Sequence, residues 1–292
     1  MNDAHLQRVV DTALAEDLGL SGDITTLATV AADATGTAYV VSREDGVLSG
    51  VEAFTAVFRT VDPWVRVAWS RRAGEELAPN DVVATVTGPA RSILTAERSA
   101  LNLLGHLTGI ASRTAGFVRL VDGTGARIVD TRKTTPGLRA LEKQAVIDGG
   151  GANHRFGLFD AILVKDNHIG LGGGLTPVLE RLAEHSRHVV RVEIEVDTLD
   201  QLREVLAFDA ARLREGKQPV VHAVLLDNMV PMQIADGVEL VRRHGAPVVI
   251  EVSGGVNERT VRDLALAGPD LISIGALTHS VRCHDFGLDL CG

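Results

Sequence analysis

Six short apolar stretches recur through the second half of this 292-residue chain, and each runs into a charged or glycine-bearing group: DTRKTTPG, LVKDNH, VEIEV, LLDN, EVSGG and ISIGA. Successive functional ends, from Arg132 through Lys165, Glu195, Asp227 and Ser253 to Gly275, lie 33, 30, 32, 26 and 22 residues apart. Strands repeated at that interval with helical patterns between them predict a parallel α/β barrel. In such barrels the C-terminal strand ends build one active site, so residues distant in sequence converge on one mouth. The chain therefore reads as an enzyme.

The groups at these ends point to a small anionic ligand. Arg132, Lys133, His154, Arg155 and Lys165 supply cationic or proton-donating side chains, while the whole chain carries a formal net charge of −9. An acidic protein that gathers cations in one cleft focuses field on a compact anion, and general nucleic-acid binding is not expected. Lysine is scarce, with four lysines at 133, 143, 165 and 217 among 29 basic residues. Two of them fall at predicted strand ends, where an ammonium acts as a point charge beside the forked grip of arginine. Any one of these cations, taken alone, also reads as an ordinary solvated charge.

Glu195 and Asp227 bring the opposite charge to two further strand ends, where carboxylates suit a magnesium ion or ribose hydroxyls; simple pairing with Arg132 or Lys165 is the plainer alternative. Glu193 and Glu195 alternate along one strand and share a face; Glu195 is favoured for chemistry because it lies nearer the mouth. Ser253-Gly254-Gly255 and Gly275-Ala276 are glycine-bearing ends on consecutive strands, whose backbone N–H groups suit a phosphate late in a barrel.

Longer segments carry a specific likeness. EDLGLSGDITT (16–26), TAERSALNLLGHLTGIAS (95–112), DTRKTTPGLRALEKQAV (130–146), GGGANHRFGLFDAILVKDNH (149–168), EIEV (193–196), LLDNM (225–229), EVSGGV (251–256) and ISIGALTHS (272–280) closely resemble the quinolinate phosphoribosyltransferase family, in the same order over nearly the whole chain. The resemblance implies transfer of phosphoribosyl from phosphoribosyl pyrophosphate to quinolinate with loss of pyrophosphate and carbon dioxide, in de novo NAD biosynthesis. It implies that Arg132, His154, Arg155 and Lys165 hold the quinolinate carboxylates and that Arg98 reaches the same site from the other subunit of a homodimer. Lys133, Lys165, Glu195, Asp227, Ser253, Gly254, Gly255, Gly275, Ala276 and His279 would hold phosphoribosyl pyrophosphate, with magnesium as cofactor at Glu195 and Asp227, and Thr131 would be a further substrate-binding residue. Lys133, Lys165, Glu195 and Asp227 are the catalytic set it implies. The family fold it implies is an N-terminal α/β sandwich followed by an open or incomplete barrel.

Further expectations follow from the residues. Thr95 reads as an N-cap, which would put Arg98 in the first turn of a helix, where the dipole disfavours a cation. Leu6, Val9, Val10, Ala13, Leu14 and Leu18 have helical spacing closed by Gly19, and Thr37 to Thr87 reads as β-like. The sandwich is expected over residues 1–108 and the barrel over 109–275, with the tail 276–292 packing back on the first domain. AFDAARLREGKQPVVH looks longer than the family's usual connection and should lengthen a helix or outer loop. Cys283 and Cys291 are expected to be free thiols, and His106, His168 and His222 to be packing or hydrogen-bonding residues. With no signal peptide and no apolar run of about eighteen residues, a cytoplasmic protein without membrane contact is expected. A glycosidase would also use paired carboxylates, but 3% aromatic residues leaves few sugar platforms. A non-enzymatic relative would not need the catalytic set, and a nicotinate-specific transferase would not need so many cations.

Overall fold

The computed structural model describes residues 3–185, 189–245 and 247–291. In chain order the elements are α1 (Asp3–Leu18), α2 (Ile24–Thr29), β1 (Thr35–Ser42), β2 (Gly46–Val47), α3 (Val51–Val61), β3 (Arg66–Trp69), β4 (Glu76–Leu77), β5 (Val82–Pro89) and α4 (Ala90–Leu120). There follow β6 (Arg127–Val129), α5 (Arg139–Asp148), β7 (Ile162–Val164), α6 (Asp166–Leu171), α7 (Leu175–His185), β8 (Val192–Val196) and α8 (Leu199–Arg214). The last are β9 (Ala223–Asp227), α9 (Pro231–His244), β10 (Val249–Ser253), α10 (Val261–Leu266), β11 (Leu271–Ser273), α11 (Ala276–His279) and β12 (Phe286–Leu290). Two compact units result: Met1–Gly116 with Lys133–Gly151 and Ala276–Gly292, and Phe117–Arg132 with Ala152–Gly275.

The second unit carries a six-stranded sheet in the order β6-β11-β10-β9-β8-β7, and all its pairings are parallel. Each of the six predicted stretches supplies one strand. Bonding of β11 back to β6 brings the first and last strands together, so the ring is interrupted between β6 and β7. One isolated parallel bridge, Val129 to Ala152, lies at that interruption, and the barrel is open. Strands covered on both faces read as continuous apolar runs, and all five residues of β8 are buried, including Glu193 and Glu195.

The first unit is built on an antiparallel sheet, β12-β1-β5-β3, in which the C-terminal strand pairs with β1 from Ala38↔Leu290 to Ser42↔Phe286. Two features depart from the expectations. The β-like region contains the helix α3, whose Phe54, Val57 and Phe58 are fully buried at the i, i+3, i+4 spacing of a helical face. Helix α4 starts at Ala90, directly after β5, not at Thr95. Ile93 and Ala96 extend the buried stripe backwards, and the Thr95 hydroxyl bonds Asp23 at 3.3 Å instead of capping. Arg98 therefore stands eight residues inside the helix, so the dipole argument for it does not hold.

The long connection before β9 lengthens α8, which runs to Arg214 from a Thr198–Gln201 capping box. The loop after it is pinned by buried Asp209, which accepts the N–H groups of Val220 at 2.8 Å and Val221 at 3.0 Å. Among the described residues no helix is long and apolar enough to cross a membrane, and both cysteines are free and exposed.

Candidate active site

Within the barrel unit the strand ends place their polar groups as the two-residue period requires. Glu193 and Glu195 share one face of β8, and Glu251 and Ser253 share one face of β10. Lys165, at the end of β7, donates from Nζ to Glu195 Oε2 at 2.7 Å. The lysine side chain is 47% exposed and the glutamate 9%, so this ion pair has one end in solvent and one in the protein. Asp227 closes β9 beside Ser253 in the strand register, and its carboxylate accepts the Asn228 side-chain amide.

His154 is turned inward. Its Nε2 lies 3.0 Å from Glu193 Oε2 and 3.5 Å from Glu251 Oε2, its Nδ1 accepts the Arg155 N–H at 2.7 Å, and its own N–H donates to Asp130 Oδ1 at 2.8 Å. These contacts settle the two glutamates of β8 by partner: Glu193 belongs to His154 and Glu195 to Lys165. Burial pushes the His154 pKa down, but the hydrogen bond to Glu193 and the charges of Glu251 and Glu193 outweigh it, and the net direction is up.

Glu251, which the sequence reading passed over, is 1% exposed, and its Oε1 has no hydrogen-bond partner among the described residues. Burial first, then the charge of Glu193, pushes its pKa up from the ordinary 4.5 to about 7. An ionised carboxylate with an orphaned oxygen at that depth would be costly, so the site favours the neutral acid. Its sequence signal is its place two residues before Ser253 on a strand whose C-terminal end is functional. The raised pKa has a stability consequence. The folded state holds the Glu251 proton more tightly than the unfolded chain, so this contribution is complete below about pH 4.5 and lost as pH rises through about 7. Glu251→Gln, neutral throughout, should match the wild type near about pH 5 and melt a few degrees higher near about pH 8. Thermal melts across that range would expose an error as equal differences at both ends.

Arg132 and Arg155 crowd each other. Burial, then the Arg132 charge, pushes the Arg155 pKa down, with Asp160 and Glu193 opposing, and Arg155 Nη1 is steered onto the Ala161 carbonyl at 3.0 Å. Two repelling guanidinium groups are relieved by an anion placed between them, which is how such pairs bind carboxylates. At the end of β10, Gly254 and Gly255 have positive φ of 93° and 61°, and the Asn228 N–H donates to Ser253 O at 3.0 Å. Gly275 follows β11 in the same unit; Thr131 follows β6 and is half-buried.

Four predicted residues lie in the first unit. Lys133 is exposed, and its carbonyl accepts the Thr278 hydroxyl at 2.7 Å. Ala276 and His279 bound the short α11; the His279 Nδ1 is 2.7 Å from the Ser280 hydroxyl. Arg98 is 65% exposed, and its contact with Glu97 is a loose 4.0 Å.

Hard oxygen donors at adjacent strand ends, Glu195 on β8 and Asp227 on β9, suit magnesium, which takes one or two protein carboxylates and keeps the rest of its shell for water and phosphate. Among the described residues, the group of three possible ligands within 4.8 Å of one another is His154, Glu193 and Glu251, not that pair.

The family profile for the quinolinate phosphoribosyl transferase C-terminal domain matches residues 110–289, and that for the N-terminal domain matches 23–108. A nicotinate-nucleotide pyrophosphorylase [carboxylating] of Mycobacterium leprae is 41% identical over 99% of this chain and 100% of its own length. A chloroplastic protein of the same name from Arabidopsis thaliana is 37% identical over 98% of this chain and 82% of its own. The structure of the nicotinate-nucleotide pyrophosphorylase from Francisella tularensis superposes with a TM-score of 0.88 at 34% identity, covering 100% of this chain and 98% of that one.

Proposed function

This chain belongs to the quinolinate phosphoribosyltransferase family, and on that premise we propose that it converts quinolinate and phosphoribosyl pyrophosphate to nicotinate mononucleotide, pyrophosphate and carbon dioxide. The observation that carries this reading for the site is that the Arg132 charge acts on Arg155 in the same barrel unit that holds the Lys165–Glu195 pair at 2.7 Å. Two adjacent carboxylates on a pyridine ring match two repelling guanidinium groups and an ammonium better than one carboxylate does.

The ring nitrogen donates its electron pair to the anomeric carbon, and the bond to the pyrophosphate oxygen breaks with its electrons leaving on pyrophosphate. The ribose is cation-like at the midpoint, so a fixed carboxylate there stabilises charge that exists only in the transition state. Glu195, oriented by Lys165, and Asp227, oriented by Asn228, are the carboxylates for that task. The turn at Ser253 to Gly255 and the Gly275-Ala276 step offer backbone N–H groups to phosphate, and Lys133 neutralises the leaving pyrophosphate. Magnesium held by Glu195 and Asp227 would supply further charge neutralisation to the pyrophosphate. In the second stage the carboxylate next to the quaternary nitrogen leaves as carbon dioxide, its bonding pair stays on the ring carbon, and that carbon takes a proton. Arg132, Arg155 and Lys165 orient the carboxylates, and the His154–Glu193–Glu251 cluster fixes the backbone from which Arg155 projects. Turnover of quinolinate against nicotinate tests the reading: quinolinate should be preferred by at least about a hundredfold in kcat/KM, and a preference for nicotinate would overturn it.

The same reading makes the working form a homodimer in which Arg98 serves the partner's site, and its exposure and loose pairing support that role. Arg98→Ala and Lys165→Ala should each be nearly inactive alone. Mixed after subunit exchange, they should regain about a quarter of wild-type activity, because one site in the hybrid is intact. No recovery after verified exchange would show that Arg98 serves its own subunit.

A further inference from the structure

Lys133 is one of the few lysines of this chain, yet it sits on an exposed loop, where a flexible ammonium is a poor electrostatic device unless the backbone beneath it is fixed. The first unit supplies that fixation. Thr135, two residues on, donates its N–H to Glu142 Oε2 at 3.1 Å. The other oxygen of Glu142 is 2.8 Å from His106 Nε2, so helix α4 reaches the loop through helix α5. Glu142 is 0% exposed, whereas the His106 side chain is 22% exposed. The Thr134 hydroxyl accepts Arg139 Nε at 2.9 Å, and the Thr135 carbonyl accepts the Leu138 N–H at 3.0 Å. The 133–138 segment is thus tied by the buried Glu142 at Thr135, in addition to the Thr278 hydroxyl on the Lys133 carbonyl.

A fully buried carboxylate is costly unless its oxygens are satisfied, and here the two donors are a loop amide and a histidine. Packing alone would be served by an apolar residue at 142 without that cost. The polar arrangement makes sense if its purpose is to hold the Thr135 amide, and with it Lys133, in one place. We propose that His106 and Glu142 are positioning residues that act through Thr135 to fix Lys133 for phosphoribosyl pyrophosphate. This inference rests on the role given to Lys133 in the proposed function.

The test is a double-mutant cycle on phosphoribosyl pyrophosphate binding, with hydrogen exchange read on the same proteins without ligand. His106→Leu should weaken phosphoribosyl pyrophosphate by about tenfold and quinolinate by less than about twofold, and His106→Gln, which keeps an N–H donor, should recover most of the loss. In a Lys133→Ala background, His106→Leu should cause no further loss, because its effect passes through the missing ammonium. If His106→Leu does not fold, Glu142→Leu, which removes the acceptor of the Thr135 amide, carries the same cycle. The Thr135 amide should exchange at least about tenfold faster in either variant. Unchanged exchange at Thr135, or losses that add to those of Lys133→Ala, would overturn the proposal. A wild type that binds no phosphoribosyl pyrophosphate would count against the proposed function instead, and the exchange measurement would still decide whether the clamp exists.

Discussion

Lys165→Ala should lower kcat/KM by about a thousandfold while costing only about 1–2 kcal/mol of stability. The asymmetry follows from the pair's geometry. Glu195 is 9% exposed and holds the Lys165 ammonium at 2.7 Å, so removal of the lysine strands a carboxylate in the barrel wall. The half-exposed ammonium was partly screened by solvent, which keeps the stability loss below the 3–5 kcal/mol typical of a fully buried pair. Activity suffers more because Glu195 loses the partner that aims it and quinolinate loses a cation in the same change. A second substitution separates the two effects. Lys165→Met combined with Glu195→Gln should restore the melting temperature to near wild type and leave the enzyme inactive. Recovery of both would mean that the pair is structural, and recovery of neither would mean that the lysine has a further partner.

Gly254→Ala should reduce activity by at least about a hundredfold, whereas Gly255→Asn should lose markedly less. Both glycines have left-handed φ, 93° and 61°, but their surroundings differ. A Cβ on Gly254 would meet the Asn228 side chain and come within 2.8 Å of its backbone N, while nothing lies within 4 Å of the corresponding position on Gly255. Asn228 itself has a positive φ of 54° and binds both Asp227 and the Ser253 carbonyl. A methyl group at 254 therefore pushes on the residue that orients the Asp227 carboxylate, and the disturbance reaches two strand ends at once. Asparagine at 255 enters open space in a backbone region it tolerates. Kinetics of the two variants check this directly; equal losses would show that the turn is sensitive as a whole and that the contact with Asn228 is not the cause.

The barrel was legible because its signal is local. Each of the six strands is a short apolar run that ends in a functional group, and the interval between them is set by the helices and turns that connect them. The pairing of charges was not legible, because it depends on which strand neighbours which. Alternation put Glu193 and Glu195 on one face, but only the three-dimensional arrangement gives one to His154 and the other to Lys165. Glu251 escaped notice because a single acid in VVIEVS carries no pattern of its own, and its importance comes from a histidine 97 residues earlier in the chain. The start of α4 was misplaced for a different reason. Thr95 resembles a cap in sequence, yet a strand that passes directly into a helix leaves no loop residue to mark the boundary. Helix α3 was hidden inside a β-like region, although Phe54, Val57 and Phe58 carry a helical period of their own.

One chain couples phosphoribosyl transfer to loss of a carboxylate. The most direct test of this coupling follows quinolinate, phosphoribosyl pyrophosphate and magnesium with the purified protein, measuring pyrophosphate, carbon dioxide and nicotinate mononucleotide together. The three products should appear in equal amounts, and all three should vanish when quinolinate is omitted. Pyrophosphate released without quinolinate, or transfer to the pyridine without loss of carbon dioxide, would contradict the coupling.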